Sequence, residues 1–130
     1  MIDGHGDLRP EHLSLGDAVQ LIDALDCDVR LRQLDPWEEL SLLALMAAEQ
    51  GAGWFGPLLA RAYASRAHGP PPELLAFYCA YHAFTRARLA FDHLRRNPRQ
   101  RAHHWGRLTR RFMRMTEAAL QGWSALGKGH

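Results

Sequence analysis

The stretch HGDLRPEH, running from His5 to His12, sets Asp7 in a polar turn with an imidazole at either end. A carboxylate and two imidazoles are groups that move protons or hold cations, and the turn has the look of part of an active site. An aspartate in a turn is more often there to form it, because its side chain bonds nearby backbone, so the surrounding chain has to decide. Asp23, after the apolar run VQLI, could likewise do no more than end a strand, and Asp26 and Asp28 suit solvation or pairing with Arg30 and Arg32. The remaining chemistry-bearing side chains are scattered. His68, His82, His93, His103 and His104 lack the His-Glu-x-x-His spacing of a zinc site. Cys27 and Cys79 lack Cys-x-x-Cys spacing, which reads as two buried thiols and supports neither a metal centre nor a disulfide framework.

The elements that must position Asp7 follow from periodicity. With 130 residues the chain has the size of one domain and can bury a real core. HLSLGDAVQLIDAL predicts a β-hairpin, with Leu13 and Leu15 before a Gly16-Asp17 turn and Val19, Leu21 and Ile22 after it. Two strands alone are marginal, so the hairpin should lie on something else. DPWEELSLLALMAAEQG predicts a helix capped by Asp35, with Pro36 in its first turn, Glu38 and Glu39 at its positive end and Gly51 beyond its last residue. It is apolar on most sides, as a central helix is. PLLARAYASRAH predicts a shorter amphipathic helix. PELLAFYCAYHAFTRARLAFDHLRRN and the segment from about Arg101 predict two long helices that meet at an Asn97-Pro98 corner and pack antiparallel. Leu40, Leu43, Tyr78, Phe112 and Trp123 are the expected core, and Phe77, Tyr78, Tyr81, Phe84 and Phe91 read as core rather than as a base-stacking platform. The fold class expected is mainly α, one domain over 1–127 with the loop and hairpin in 1–34 and helices in 35–127, and a disordered tail at 128–130.

In this order the motifs resemble the aminoglycoside phosphotransferase and kinase-like family. Its pattern is HGDxxxxN, a short hairpin and an apolar strand ending in Asp, matched here at His5, Gly6, Asp7, His12 and Asp23. DPWEEL is similar to the family's DPxxDLA helix start, with Glu39 where an Asp is usual. LLAFYCAYHAFTRARLA is similar to the LLPFYxxYRALVRAKVA stretch of a bacterial branch often fused to a P-loop kinase. The resemblance implies the helical C-terminal lobe of a protein-kinase-like fold, with one N-terminal hairpin, built for ATP-dependent phosphorylation of a small-molecule hydroxyl. It gives Asp7 the role of orienting the acceptor hydroxyl and taking its proton, and Asp23 that of ligating Mg²⁺ on the nucleotide. His5 would hold the loop backbone, Gly6 would allow its turn, and Asp35 and Glu39 would brace it.

Two departures qualify this. The family's second metal ligand is an Asn, and His12 stands in its place, although Mg²⁺ prefers oxygen ligands. The family also places a nucleotide-covering lobe with a phosphate-pairing lysine before the loop; four residues precede His5 here, and the one lysine is Lys128. The expectation is a half that lacks its N-lobe, inactive alone and weak in binding ATP and Mg²⁺, whose partners would be a separate N-lobe or upstream polypeptide and a small-molecule acceptor.

Charge suggests the alternative, a non-catalytic helical binding module. Residues 1–50 carry eleven acidic and three basic side chains, residues 51–130 three acidic and thirteen basic. Such asymmetry marks a polyanion-binding surface, two halves that attract each other, or a covering acidic segment that is missing. The arginines from Arg95 to Arg114 could bind nucleic acid, although no recognition-helix or RNA-binding motif accompanies them and a solvated helical face is the commoner reading. No membrane span and no signal peptide are legible, which points to a cytoplasmic protein.

Overall fold

The computed structural model describes residues 1–26 and 28–126, with side chains omitted for Val29 and 123–126. Among them, four α-helices dominate: α1 Pro36–Glu49, α2 Phe55–Ala64, α3 Pro72–Arg96 and α4 Ala102–Leu126. Strands β1 Ile2–Asp3, β2 Leu13–Leu15, β3 Val19–Leu21 and β4 Gln33–Leu34 form two separate antiparallel pairs, β1 with β4 and β2 with β3. The mainly helical expectation stands, with one addition. Sequence reading gave a single hairpin, whereas Ile2 also pairs with Leu34 and Asp3 with Gln33. No helix among the described residues is long and apolar enough to cross a membrane.

Backbone contacts divide the chain into two compact units, Met1–Pro70 and Pro71–His130. The boundary falls in the run of prolines that ends at Pro72, which opens α3. The expected tail at 128–130, Cys27 and the side chain of Trp123 lie outside the described residues.

In the first unit α1 is the core element. Asp35 accepts a hydrogen bond from the Trp37 amide at 2.9 Å, satisfying one of the amides that a helix start leaves without a partner. Gln50 ends the helix and Gly51 leaves it at φ +96°, the left-handed conformation glycine adopts without strain. Trp37, Leu42, Leu43, Leu45 and Ala47 are buried, and Leu40 is half-buried. The Trp37 indole donates to the His68 carbonyl at 3.2 Å and packs edge-on against Tyr63 of α2. The β2–β3 hairpin differs from expectation. Leu15, Val19 and Leu21 share one face, since Leu13 opposes Leu21 and Leu15 opposes Val19, yet all three are exposed, Leu15 at 80 %.

In the second unit α3 and α4 pack as the expected antiparallel hairpin, each about 37 Å long at 1.5 Å per residue. Near the corner the His93 and Trp105 rings lie 4.1 Å apart. The buried stripe of α3 is Ala80, Ala83, Ala87 and Ala90, at spacings of three and four, and α4 buries Phe112 and Thr116. The aromatic series expected in the core is not there: Phe77, Tyr81, Phe84 and Phe91 are exposed and Tyr78 and Cys79 are half-buried. Both sets of residues have helical spacing, and close packing has selected the small side chains, not the large ones, for burial.

Two outcomes follow from this packing. Ala83, with 0 % of its surface exposed, has no open space beside it for the three extra carbons of a leucine. Ala83→Leu should destabilise the protein by about 1–3 kcal/mol, the usual consequence of overpacking, while Ala118→Leu at an exposed position of α4 should be near neutral in the same thermal melts. At the start of α1, burial and then the nearby Asp35 and Glu39 carboxylates raise the Glu38 carboxyl above its ordinary value of 4.5. The folded state thus holds this proton more tightly than the unfolded chain, so the group's contribution to stability is present below pH 4.5 and is lost as pH rises through the raised value. Glu38→Gln should therefore raise the melting temperature at neutral pH, by a margin that closes below pH 4.5.

Candidate functional site

The HGD turn is held on three sides. From α1, the Glu39 carboxylate reaches back and Oε1 accepts the Gly6 amide at 2.7 Å. Glu39 is buried, and this bond is what satisfies one of its oxygens there. Gly6 itself has φ +86°, and a Cβ at that position would stand 2.7 Å from Leu25 Cδ1. The turn therefore favours glycine by conformation, and any side chain there would also have to push the Leu25 side chain aside.

The second anchor is His5, buried beneath the turn. Its Nε2–H donates to the Ile22 carbonyl at 2.6 Å, and its own carbonyl accepts the Leu25 amide at 3.0 Å. These two bonds bracket Asp23, fixing the strand end beside the loop. Asp23 takes φ +63°, a left-handed conformation that Asp and Asn tolerate better than other side chains, and its carboxylate is 84 % exposed.

His12 is the third anchor. A single 3₁₀ turn, Pro10–His12, ends the loop, and the buried His12 ring stacks on the His5 ring at 4.9 Å. Its Nδ1 lies 2.8 Å from the Asp7 carbonyl, which can only accept, so Nδ1 carries the proton and Nε2 presents a lone pair. The His12 amide donates to the Arg9 carbonyl at 2.9 Å, and the His12 carbonyl accepts the Ile22 amide at 3.0 Å. His12 thus ties the Asp7 backbone to the strand end that carries Asp23.

Arg9 lies at the centre of the charged groups. Nη1 is 2.7 Å from Glu11 Oε1, and Nη2 donates to His12 Nε2 at 3.1 Å. Nε is 3.1 Å from Asp7 Oδ2 but makes no hydrogen bond, so that contact is an ion pair only. Sequence reading missed Arg9, and the signal available was its place two residues after Asp7, within reach of both acids of the turn. Asp28 pairs with Arg30, and hydrogen bonds from Arg30 lower its carboxyl below the ordinary 3.8. Arg32 turns instead to the Leu25 carbonyl at 3.0 Å and Asp3 at 3.1 Å.

The residues predicted for the site, His5, Asp7, His12 and Asp23, are therefore brought together, and Glu39 braces the loop as the motif implies. Asp35 caps α1 through the Trp37 amide. For a metal the donor set is narrow. No group of three or more His, Cys, Asp or Glu among the described residues could hold one. Asp23 offers one exposed carboxylate. His12 does not fit as a second ligand: Nε2 is 3.9 Å from Asp23 Oδ2, but its lone pair already accepts from Arg9.

Comparison with family models, with curated proteins and with solved structures finds no match.

The Glu39 contact can be measured directly. Removing a buried charged acceptor should cost about 1.5–3 kcal/mol, so Glu39→Ala should lower stability by that order and speed hydrogen exchange at the Gly6 amide. Glu39→Gln, which keeps one acceptor oxygen, should fall between Glu39→Ala and the wild type in both measurements.

Proposed function

We propose that this chain is the C-terminal lobe of a kinase-like phosphotransferase of the aminoglycoside phosphotransferase type, acting on a small-molecule hydroxyl with ATP as donor. The observation that carries the reading is the His5 bond to the Ile22 carbonyl, which joins the turn bearing Asp7 to the strand end bearing Asp23. A carboxylate to receive a proton and a carboxylate for a nucleotide-borne cation are what phosphoryl transfer asks of this half of a site.

In this reading Asp7 accepts the proton of the acceptor hydroxyl as that oxygen bonds to the terminal phosphorus and the bond from phosphorus to the ADP oxygen breaks. Mg²⁺, when bound with the nucleotide at Asp23, would neutralise charge on the phosphates. His5, Gly6 and Glu39 act on the backbone, setting the direction of the Asp7 side chain before any substrate arrives.

The groups that hold the nucleotide phosphates come from another polypeptide segment. The single lysine of these 130 residues is Lys128, far along the chain from the loop. The hairpin that follows the loop supports such a partner: Leu15, Val19 and Leu21 form an exposed apolar face on β2 and β3, suited to being covered by a nucleotide-holding lobe.

A second reading rests on the other unit. Residues 71–130 carry eleven basic and three acidic side chains, and Arg95, Arg96, Arg99, Arg101, Arg107, Arg110 and Arg114 are exposed around the α3–α4 corner. A helical module of this charge would bind a polyanion such as nucleic acid.

The two readings part in one set of assays. Incubated with ATP, Mg²⁺ and a panel of hydroxyl-bearing acceptors, the chain alone should give no turnover above background. With a nucleotide-binding lobe supplied, turnover should appear, and Asp7→Asn should reduce it by about 10²- to 10⁴-fold, the usual contribution of a general base. Full turnover by Asp7→Asn would eliminate the enzyme reading. Binding to duplex or single-stranded nucleic acid whose affinity falls steeply with added salt would favour the second.

A further inference from the structure

We propose that Arg9, and not a second divalent cation bound at His12, supplies the positive charge at the inner end of the loop. The argument starts from hydrogen-bond valence. A neutral imidazole has one donor and one lone pair. In His12 the donor, Nδ1–H, goes to the Asp7 carbonyl at 2.8 Å, and the lone pair on Nε2 receives Arg9 Nη2 at 3.1 Å. Nothing is left with which to ligate a metal, and a metal approaching Nε2 would have to displace a cation that two carboxylates hold.

Those carboxylates are close. Arg9 Nη1 is 2.7 Å from Glu11 Oε1, and Nε is 3.1 Å from Asp7 Oδ2. The Arg9 side chain is about three-quarters shielded, with 27 % of its surface exposed, and its guanidinium spans three side chains of the same turn. The 3₁₀ turn at Pro10–His12 makes this possible, since it brings Glu11 and His12 back over Arg9. One of the turn's two negative charges is thereby offset by a planar, permanently charged group whose geometry also matches phosphate oxygens. An incoming phosphorylated ligand would meet Arg9 at one end of the site and a single nucleotide-borne cation, at Asp23, at the other.

The meaning of this for catalysis rests on the phosphotransferase reading; the occupancy of His12 does not. The test follows the His12 ring by long-range ¹H–¹⁵N spectra of the full chain during titration with Zn²⁺, an ion that favours imidazole. In the wild type at neutral pH, the Nε2 resonance should stay in place at equimolar Zn²⁺. In Arg9→Ala, checked for folding by circular dichroism, Nε2 should shift, with half-saturation at a Zn²⁺ concentration at least about tenfold lower than any that moves it in the wild type. A Zn²⁺-induced shift in the wild type at the concentration that moves the variant overturns the proposal, and so does an Arg9→Ala ring that does not respond. If Arg9→Ala fails to fold, the wild-type titration still decides, because direct ligation of Zn²⁺ at equimolar metal refutes it and an unmoved Nε2 supports it. Absence of turnover with an added lobe would instead overturn the functional reading and leave this result intact.

Discussion

The Glu39 carboxylate, reaching from the first turn of α1 to the Gly6 amide, is the contact on which the rest of the site depends. A turn whose glycine sits at positive φ has no strand or helix partner to hold it, and its backbone groups need acceptors from outside the turn. Glu39 provides one, from an element whose own position is fixed by the burial of Trp37, Leu42, Leu43 and Leu45. Loop direction is thereby referred to the hydrophobic core of its unit. A Cβ at Gly4 would meet Glu39 Oε2 at 2.7 Å, so the second oxygen too is closely enclosed.

Around that contact the two histidines divide the work. His5 binds the strand end through Ile22, and His12 binds the loop's own backbone through Asp7; their stacked rings make the two arrangements one. Neither ring needs to touch a substrate to matter. Each converts a buried polar demand of the backbone into a fixed position for a carboxylate: Asp7 on the loop and Asp23 on the strand end. His5 leaves Nδ1 buried without a hydrogen-bond partner, which marks the interior side of the site as incompletely satisfied.

Much of this was legible in the sequence because it is local. Asp35-Pro36 announces α1, Asn97-Pro98 announces the corner, and Gly6 announces a turn that a side chain would block. Glu39 could be placed by its motif. The β1–β4 pairing could not, because two residues at each partner carry no periodic signal and their meeting depends on the whole intervening segment. The role of Arg9 was hidden for another reason: its three partners lie within the same turn, and only the 3₁₀ geometry decides that the side chain folds inward. On α3, alanines and aromatics recur at the same interval, so periodicity identifies two stripes equally well and does not say which is buried.

The uncovered hairpin has a consequence for the behaviour of the protein in the test tube. Its two strands form a sheet with no third strand among the described residues, so each presents an outer edge beside exposed Leu15, Val19 and Leu21. Edges of that kind template pairing with other copies. A charged side chain at Leu15, on the exposed face, is the least invasive change that would work against such pairing at high concentration.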